Sequence, residues 1–190
     1  MKLKSIFAAL LGVSAVTAFA APEVYTIDPS HTYPSFEADH MGISLWRGKY
    51  KKTSGTIALD RAAKTGTVDI LIDADSIDFG HDGMTAHAKK EDIFDVAKYP
   101  TVTYKSKSIT FKGDVPASIE GELTLHGVTK PVTLVINKFK CIEHPMTKRE
   151  LCGADASATF NRADFGITKG LPRFLPEVKL QIQVEAMKNT

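Results

Sequence analysis

The sequence predicts an all-β protein, an antiparallel barrel or sandwich of about eight to ten strands with one helical excursion. Three observations predict it. Apolar residues recur at every second position through most of residues 24–185, turn-forming residues separate the runs, and one stretch, 80–99, departs from that period. Strict alternation gives a strand one apolar and one wet face, as in an antiparallel sheet and unlike a parallel sheet covered on both sides.

The first strands are expected at Tyr25–Ile27, Pro34–Asp39, Trp46–Thr53 and Thr56–Leu59. After Lys64-Thr65-Gly66 comes a run with Val68, Ile70 and Ile72 on one face. Gly80 to Tyr99 reads as helical: Met84, His87 and Ala88 recur near period 3.6, Ile93, Phe94 and Val96 follow, Asp82 is placed to cap and Pro100 to stop it. Such an excursion packs over one end of a barrel. Short strands follow at Val102–Lys105 and Ser108–Phe111, then Lys112-Gly113-Asp114 turns the chain. Ile119, Gly121, Leu123 and Leu125 alternate before His126-Gly127, and Val132, Leu134 and Ile136 after it. Ala154, Ala156, Ala158 and Phe160 share a face, and Val178, Leu180, Ile182 and Val184 give the cleanest alternation.

Length and composition limit what this sheet can be. The chain has 190 residues, of which 43% are hydrophobic and 8% aromatic, enough to build a core and incompatible with a disordered chain. Met1 to Ala20 has the parts of an export signal: Lys2 and Lys4, an apolar run from Ile6 to Val16, and Ala18-Phe19-Ala20 before the expected cut. The apolar run is too short to span a bilayer. Residues 21–190 are therefore expected as one mature domain, exported and without stable membrane insertion. The full chain carries 24 basic and 22 acidic residues; with Lys2 and Lys4 removed the balance is zero, which argues against a nucleic-acid binder. Cys141 and Cys152 both lie in the exported part, where an even count suggests one disulfide near the tip of a hairpin around His144-Pro145-Met146-Thr147. A redox pair or metal site is the rival reading, and the spacing is not C-x-x-C.

Motifs for chemistry are missing. Gly42-Ile43-Ser44-Leu45-Trp46 lacks the second glycine of a nucleophile elbow. The six histidines show no H-E-x-x-H or H-x-H spacing, and the run from Asp73 fails as a calcium loop at Ile77, Asp78 and Met84. No catalytic residue, metal ligand or cofactor site is assigned.

An eight-stranded barrel is either filled by its own side chains or just able to hold a small ligand. Ala154, Ala156, Ala158 and Gly121 are small at inward positions, and Met41, Ile43, Leu45 and Trp46 form an apolar cluster where the alternation lapses. These features suit a cavity with a mouth. Large neighbours filling the gaps would suit a solid core.

Several combinations, in order, carry a resemblance: Tyr25-Thr26-Ile27-Asp28-Pro29-Ser30-His31, His40-Met41-Gly42-Ile43-Ser44, Arg47-Gly48, Ser54-Gly55 with Asp60, Asp92-Ile93-Phe94-Asp95-Val96 with Tyr99-Pro100, Leu125-His126-Gly127-Val128-Thr129-Lys130-Pro131-Val132, and Arg162-Ala163-Asp164-Phe165-Gly166. Together they resemble the YceI-like family of exported, lipocalin-like polyisoprenoid-binding proteins, across nearly all of residues 24–185. The lipocalin G-x-W signature is absent, since Trp46-Arg47-Gly48 runs the other way, so the likeness to lipocalins is architectural. The resemblance implies an extended eight-stranded antiparallel barrel, a periplasmic setting, and a long amphiphilic isoprenoid or prenylquinone-type lipid in an apolar tunnel; it also allows a homodimer. On this basis Phe36, Met41, Trp46, Phe94, Tyr99, Tyr104, Phe111, Phe165, Leu180 and Ile182 are expected to line the tunnel, with His40, Arg162 and Asp164 near its ends. A salt bridge between Arg162 and Asp164 is the alternative there. Asp28-Pro29-Ser30-His31 is expected to be a structural turn. Non-catalytic carriage of the lipid, an enzyme acting on it, and a solid barrel acting through protein contacts are the three functions these residues admit.

Overall fold

The structure is a computed structural model and describes residues 21–190; the export signal expected at 1–20 lies outside the described residues. The strands are β1 (Glu23–Ile27), β2 (Tyr33–His40), β3 (Ser44–Tyr50), β4 (Thr53–Asp60), β5 (Thr65–Asp73), β6 (Ile77–Asp78), β7 (Thr101–Lys112), β8 (Val115–Leu125), β9 (Val128–Glu143), β10 (Glu150–Asn161) and β11 (Glu177–Lys188), with one helix, α1 (Asp82–Ala88). All pairings are antiparallel. β1 and β2 follow one another along β11, β3 and β6 pair beyond the ends of β4 and β5, and the sheet closes where β1 meets both β4 and β11. The eleven segments thus form the walls of a closed eight-stranded barrel.

The alternation read from sequence sets what faces inward, with a reset at each bulge. Val102 and Tyr104 of β7 face in, and so does Ile109. Ile109 follows Tyr104 at an odd offset, 104 to 109, because Lys107 bulges out of the pairing between Ser106 and Ser108. What sequence reads as two strands, Val102–Lys105 and Ser108–Phe111, is one strand with a bulge, which changes side-chain parity. β9 does the same: Asn137 has no partner between Lys138↔Asp155 and Ile136↔Ala156, and inward parity passes from Val132, Leu134 and Ile136 to Phe139.

Turn chemistry is local. His126 and Gly127 both have positive φ (52° and 73°), as a two-residue hairpin between β8 and β9 requires. Asp28 Oδ1 accepts from the Ser30 N–H at 2.8 Å and from Ser30 Oγ at 2.6 Å, and Oδ2 pairs with His31 Nδ1 at 2.8 Å. The helix is shorter than the sequence pattern suggests. Only Asp82–Ala88 is helical, and the cap is His81, whose Nδ1 accepts from the Met84 N–H at 3.1 Å, where Asp82 was expected. Residues 89–99 continue as turns, with Phe94 N–H donating to Ala88 O and Asp95 at φ 43°. This excursion fills the wall between β6 and β7.

Cys141 and Cys152 sit opposite each other in the β9–β10 register and form a disulfide, each three residues from the ends of the hairpin loop closed by His144 and Arg149. Closing a 12-residue loop contributes about 3 kcal/mol in the chain-entropy account. Cys141→Ser is expected to cost roughly 2–4 kcal/mol in denaturant unfolding while leaving the far-ultraviolet spectrum unchanged. A loss below about 0.5 kcal/mol would show that the bridge contributes no cross-link stability.

The turn after β1 responds to pH. Hydrogen bonds from Ser30 and then His31 hold the Asp28 carboxyl down at about 2, and Asp28 in turn raises His31 above its usual 6.5. The depressed carboxyl adds stability above the ordinary aspartate range, lost as pH falls toward 2; the raised imidazole adds stability below 6.5, lost as pH rises through its folded value. Titration by NMR is expected to place the His31 midpoint above 6.5, and Asp28→Asn to bring it back. An unmoved midpoint in Asp28→Asn would break the assignment.

Candidate ligand-binding cavity

The barrel is hollow. Its interior holds a cavity of about 390 Å³ with an almost wholly apolar wall, within the range of roughly 300–1,000 Å³ for ligand sites. Every wall contributes: Tyr25 from β1, Phe36 from β2, Trp46 and Tyr50 from β3, Ile57 and Leu59 from β4, Val68, Ile70 and Ile72 from β5, Tyr104 and Ile109 from β7, Leu123 from β8, Leu134 and Phe139 from β9, Ala154 and Ala156 from β10, and all five inward residues of β11 from Val178 to Ala186.

One end is stoppered. Tyr25 is 1% exposed and packs with Ile27, Leu59, Cys152 and Ala186 in a small cluster apart from the main core. Its hydroxyl lies 3.0 Å from both Glu23 Oε2 and Glu150 Oε2; Arg61 Nη2 reaches Glu150 Oε1 at 2.7 Å, and Lys188 bonds Glu23. Burial, then the two carboxylates, push the Tyr25 hydroxyl's pKa up, while Lys188 holds Glu23 down. Charge outside and packed rings inside keep water from entering along this end.

The other end carries the loops. Phe36 packs against Phe79 (5.5 Å between centroids), Tyr50 (6.1 Å) and Phe94 (6.3 Å), and Phe79 reaches Trp46 at 6.4 Å. Gly48 makes room, because a Cβ there would lie 2.5 Å from the Phe36 ring. His40 stacks flat on Trp46 at 4.0 Å and meets Phe174 edge-on at 5.3 Å. Asp39 ties the loops together, with Gly42 N–H donating to Oδ1 at 2.9 Å and Leu175 N–H to Oδ2 at 3.0 Å. Ile43, 75% exposed, stands with Met41, Leu45 and Leu175 on the outer rim.

Of the residues picked from sequence, Phe36, Trp46, Phe94, Tyr104, Arg162, Leu180 and Ile182 stand on the cavity wall. Met41 lies in the β2–β3 turn at φ 57° and is exposed. His40 backs Trp46. Tyr99 packs on His126, Phe165 is buried against Phe160, and Phe111 packs beside the tyrosine stopper. Arg162 makes no salt bridge with Asp164; its Nη1 donates to Ile167 O at 2.8 Å. Gly121 leaves no free volume, since the Tyr104 ring occupies the space where its Cβ would be. The Tyr104 hydroxyl crosses to Ile119 O (3.0 Å) and Val132 O (2.9 Å), and burial pushes its pKa up to about 12. Phe79 and Phe174 also line the cavity and come from segments without strand alternation, where no periodic signal marks them; Met84 and His87 line it from α1, where helical spacing does.

Metal binding finds little footing among the described residues. Cys141, Glu150 and Cys152 converge, but both sulfurs are spent in the disulfide. Asp28, His31 and Glu185 converge at the turn already described.

A family model described as the YceI-like domain matches residues 25–186. The chain belongs to the YceI-like family. A UPF0312 protein of Shewanella denitrificans is 33% identical over 190 residues, covering 97% of this chain and 98% of the relative. Among solved structures, the YceI-like fold here is similar to Burkholderia cenocepacia BcnA (TM-score 0.71, 21% identity, 84% of this chain and 98% of that one). It is also similar to a polyisoprenoid-binding domain from Saccharophagus degradans implicated in plant cell wall breakdown (TM-score 0.63, 14% identity, 87% and 98%). In this YceI-like barrel the hollow interior is built by the strands, and its loop end by aromatic side chains.

Ala156 stands at 5% exposure on the cavity wall, opposite Ile136 and Ile182. Ala156→Leu is expected to fold cooperatively, with a stability change under about 1 kcal/mol, and to take up less of a hydrophobic fluorescent probe. A loss of roughly 1–3 kcal/mol, the usual cost of overpacking, would instead show that this level of the bore is filled.

Proposed function

We propose that this protein binds a long amphiphilic isoprenoid lipid, of prenylquinone type, in the barrel cavity and carries or stores it without chemical change. The observation that carries the reading is the apolar cavity of about 390 Å³ inside the barrel. Each CH₂ moved from water to such a wall contributes about 0.8 kcal/mol, so a long hydrocarbon tail is the cargo this wall rewards. The similar Saccharophagus degradans domain, itself described as polyisoprenoid-binding, supports the same ligand class.

Carriage is favoured over catalysis by what the polar wall residues already do. Asp39 accepts from backbone N–H groups, Lys169 pairs with Asp92 at 2.7 Å, and Arg162 donates to a carbonyl. Only Lys169 meets a second titratable group, and its pairing with Asp92 is an exposed ion pair rather than an acid–base pair held against a ligand. The binding set we assign is the wall group Phe36, Trp46, Phe94, Tyr104, Arg162, Leu180 and Ile182, with His40 acting through Trp46. The mature domain is residues 21–190, delivered to the periplasm after loss of 1–20; no helix among the described residues is long and apolar enough to cross a membrane.

Protein purified from its exported form and extracted with organic solvent is expected to release a polyprenyl lipid near one mole per mole of protein, identified by mass spectrometry. Repeated recovery of none, with no uptake of a prenylquinone by the stripped protein, would end the proposal.

A further inference from the structure

Two hydroxyls on the cavity wall stand out against their surroundings. Thr53 is 3% exposed, and its Oγ1 has no hydrogen-bond partner among the described residues. Tyr50 is 7% exposed and lines the same cavity, and burial alone raises its hydroxyl's pKa, with no hydrogen bond contributing. The contrast is Tyr104, an equally buried wall tyrosine whose hydroxyl has two carbonyls within reach. Tyr50 and Thr53 are three residues apart across the β3–β4 bend, so their Cα atoms lie within about 11 Å of each other. Buried polar groups are nearly always paired, and each unpaired one costs about 1–3 kcal/mol.

The bend's own lysines do not line the cavity: Lys51 and Lys52 are exposed and pair with Asp78 (3.2 Å) and Asp73 (3.3 Å). The ionised wall residues Asp39, Arg162 and Lys169 come from the ends of β2 and β10 and the loop beyond. Around the bend stand Phe36, Ile72 and Ile77. An anion on the inner face there would lose its hydration and meet no cation lining the wall. A neutral oxygen would accept from, or donate to, two waiting hydroxyls.

We infer that the β3–β4 bend is the head-group subsite, where Tyr50 and Thr53 hydrogen-bond the neutral oxygenated head of the lipid, a carbonyl or hydroxyl, while its tail lies along the aliphatic wall. The inference rests on the lipid-binding reading and adds where the head sits and that it is uncharged.

The test compares a prenylbenzoquinone with a saturated isoprenoid hydrocarbon of the same tail length, each competing against a radiolabelled prenylquinone on the full exported protein. Tyr50→Phe and Thr53→Val keep the shapes and remove only the hydroxyls. Each is expected to weaken the quinone roughly 3- to 10-fold, the range of one hydrogen bond, and to move the hydrocarbon less than 2-fold. Lys52→Gln, at an exposed side chain of the same bend, is expected to leave both ligands within 2-fold. The melting temperature of ligand-free Tyr50→Phe should hold or rise, since an unpaired hydroxyl is lost. Unchanged quinone affinity in both hydroxyl variants, or a loss confined to Lys52→Gln, overturns the subsite while lipid binding stands. A wild-type protein that takes up neither ligand overturns both.

Discussion

Everything inside the barrel depends on the seam where the last strand meets the first two. β11 offers one continuous edge, and the chain answers it in two pieces: Tyr33–Ala38 of β2 along Val178–Gln183, and Tyr25–Ile27 of β1 along Ala186–Lys188. The break between the pieces falls opposite Glu185. There Asp28 N–H donates to Glu185 O at 2.9 Å, the Thr32 hydroxyl reaches the same carbonyl at 3.2 Å, and the Glu185 N–H donates back to Thr32 Oγ1 at 3.2 Å. Thr32 is buried at 2% exposure, so its hydroxyl stands in for a missing backbone partner in a place water does not reach. A seam with unpaired groups would be a sheet edge, and a sheet with an edge encloses no dry volume.

Closure alone would not keep the interior apolar along strands of 12 to 16 residues. Strands that long twist, and a register that places every second residue inward at one end drifts by the other. The bulges at Lys107 and Asn137 each drop one residue from the pairing, so that Ile109 and Phe139 continue a wall begun by Tyr104 and Ile136. The same resets carry the inner face of β9 down to Cys141, level with Cys152, beside the tyrosine stopper. Disulfide, stopper and carboxylate–cation cluster therefore share one end, while the aromatic loops share the other.

That division explains what could be read from residues in order and what could not. Period two reports the facing of regular strands, so the all-β class and the β11 wall of Val178, Leu180, Ile182 and Val184 were legible directly. A bulge leaves no compositional mark, and Ser106-Lys107-Ser108 therefore looked like a gap between two strands. Helical spacing over Met84, His87 and Ala88 was real, but beyond Ala88 the chain folds through tight turns, which apolar spacing does not distinguish from helix. Gly121 illustrates the harder limit. A small residue at an inward position signals either space or a neighbour's intrusion, and only the path of the Tyr104 ring decides it. Phe79 and Phe174 reach the cavity from irregular segments, where position follows from tertiary packing rather than period.

The polarity of the cavity separates two decisions that a binding protein has to make. Whether a molecule is held is decided by the wall: a tail of ten or more buried carbons outweighs any single hydrogen bond of about 1 kcal/mol. Which tailed molecule is held falls to the few polar groups, because at equal tail burial a difference of one satisfied hydroxyl is several-fold in affinity. A bore lined all round with aliphatic residues would retain any oily chain without preference. Unpaired hydroxyls at one bend, set apart from the ionised residues at the loop end, penalise a charged head and a bare hydrocarbon alike, the first by desolvation and the second by leaving the hydroxyls unpaired. Selectivity of that kind requires no catalytic group, and it depends on the same dry enclosure that the seam at Glu185 maintains.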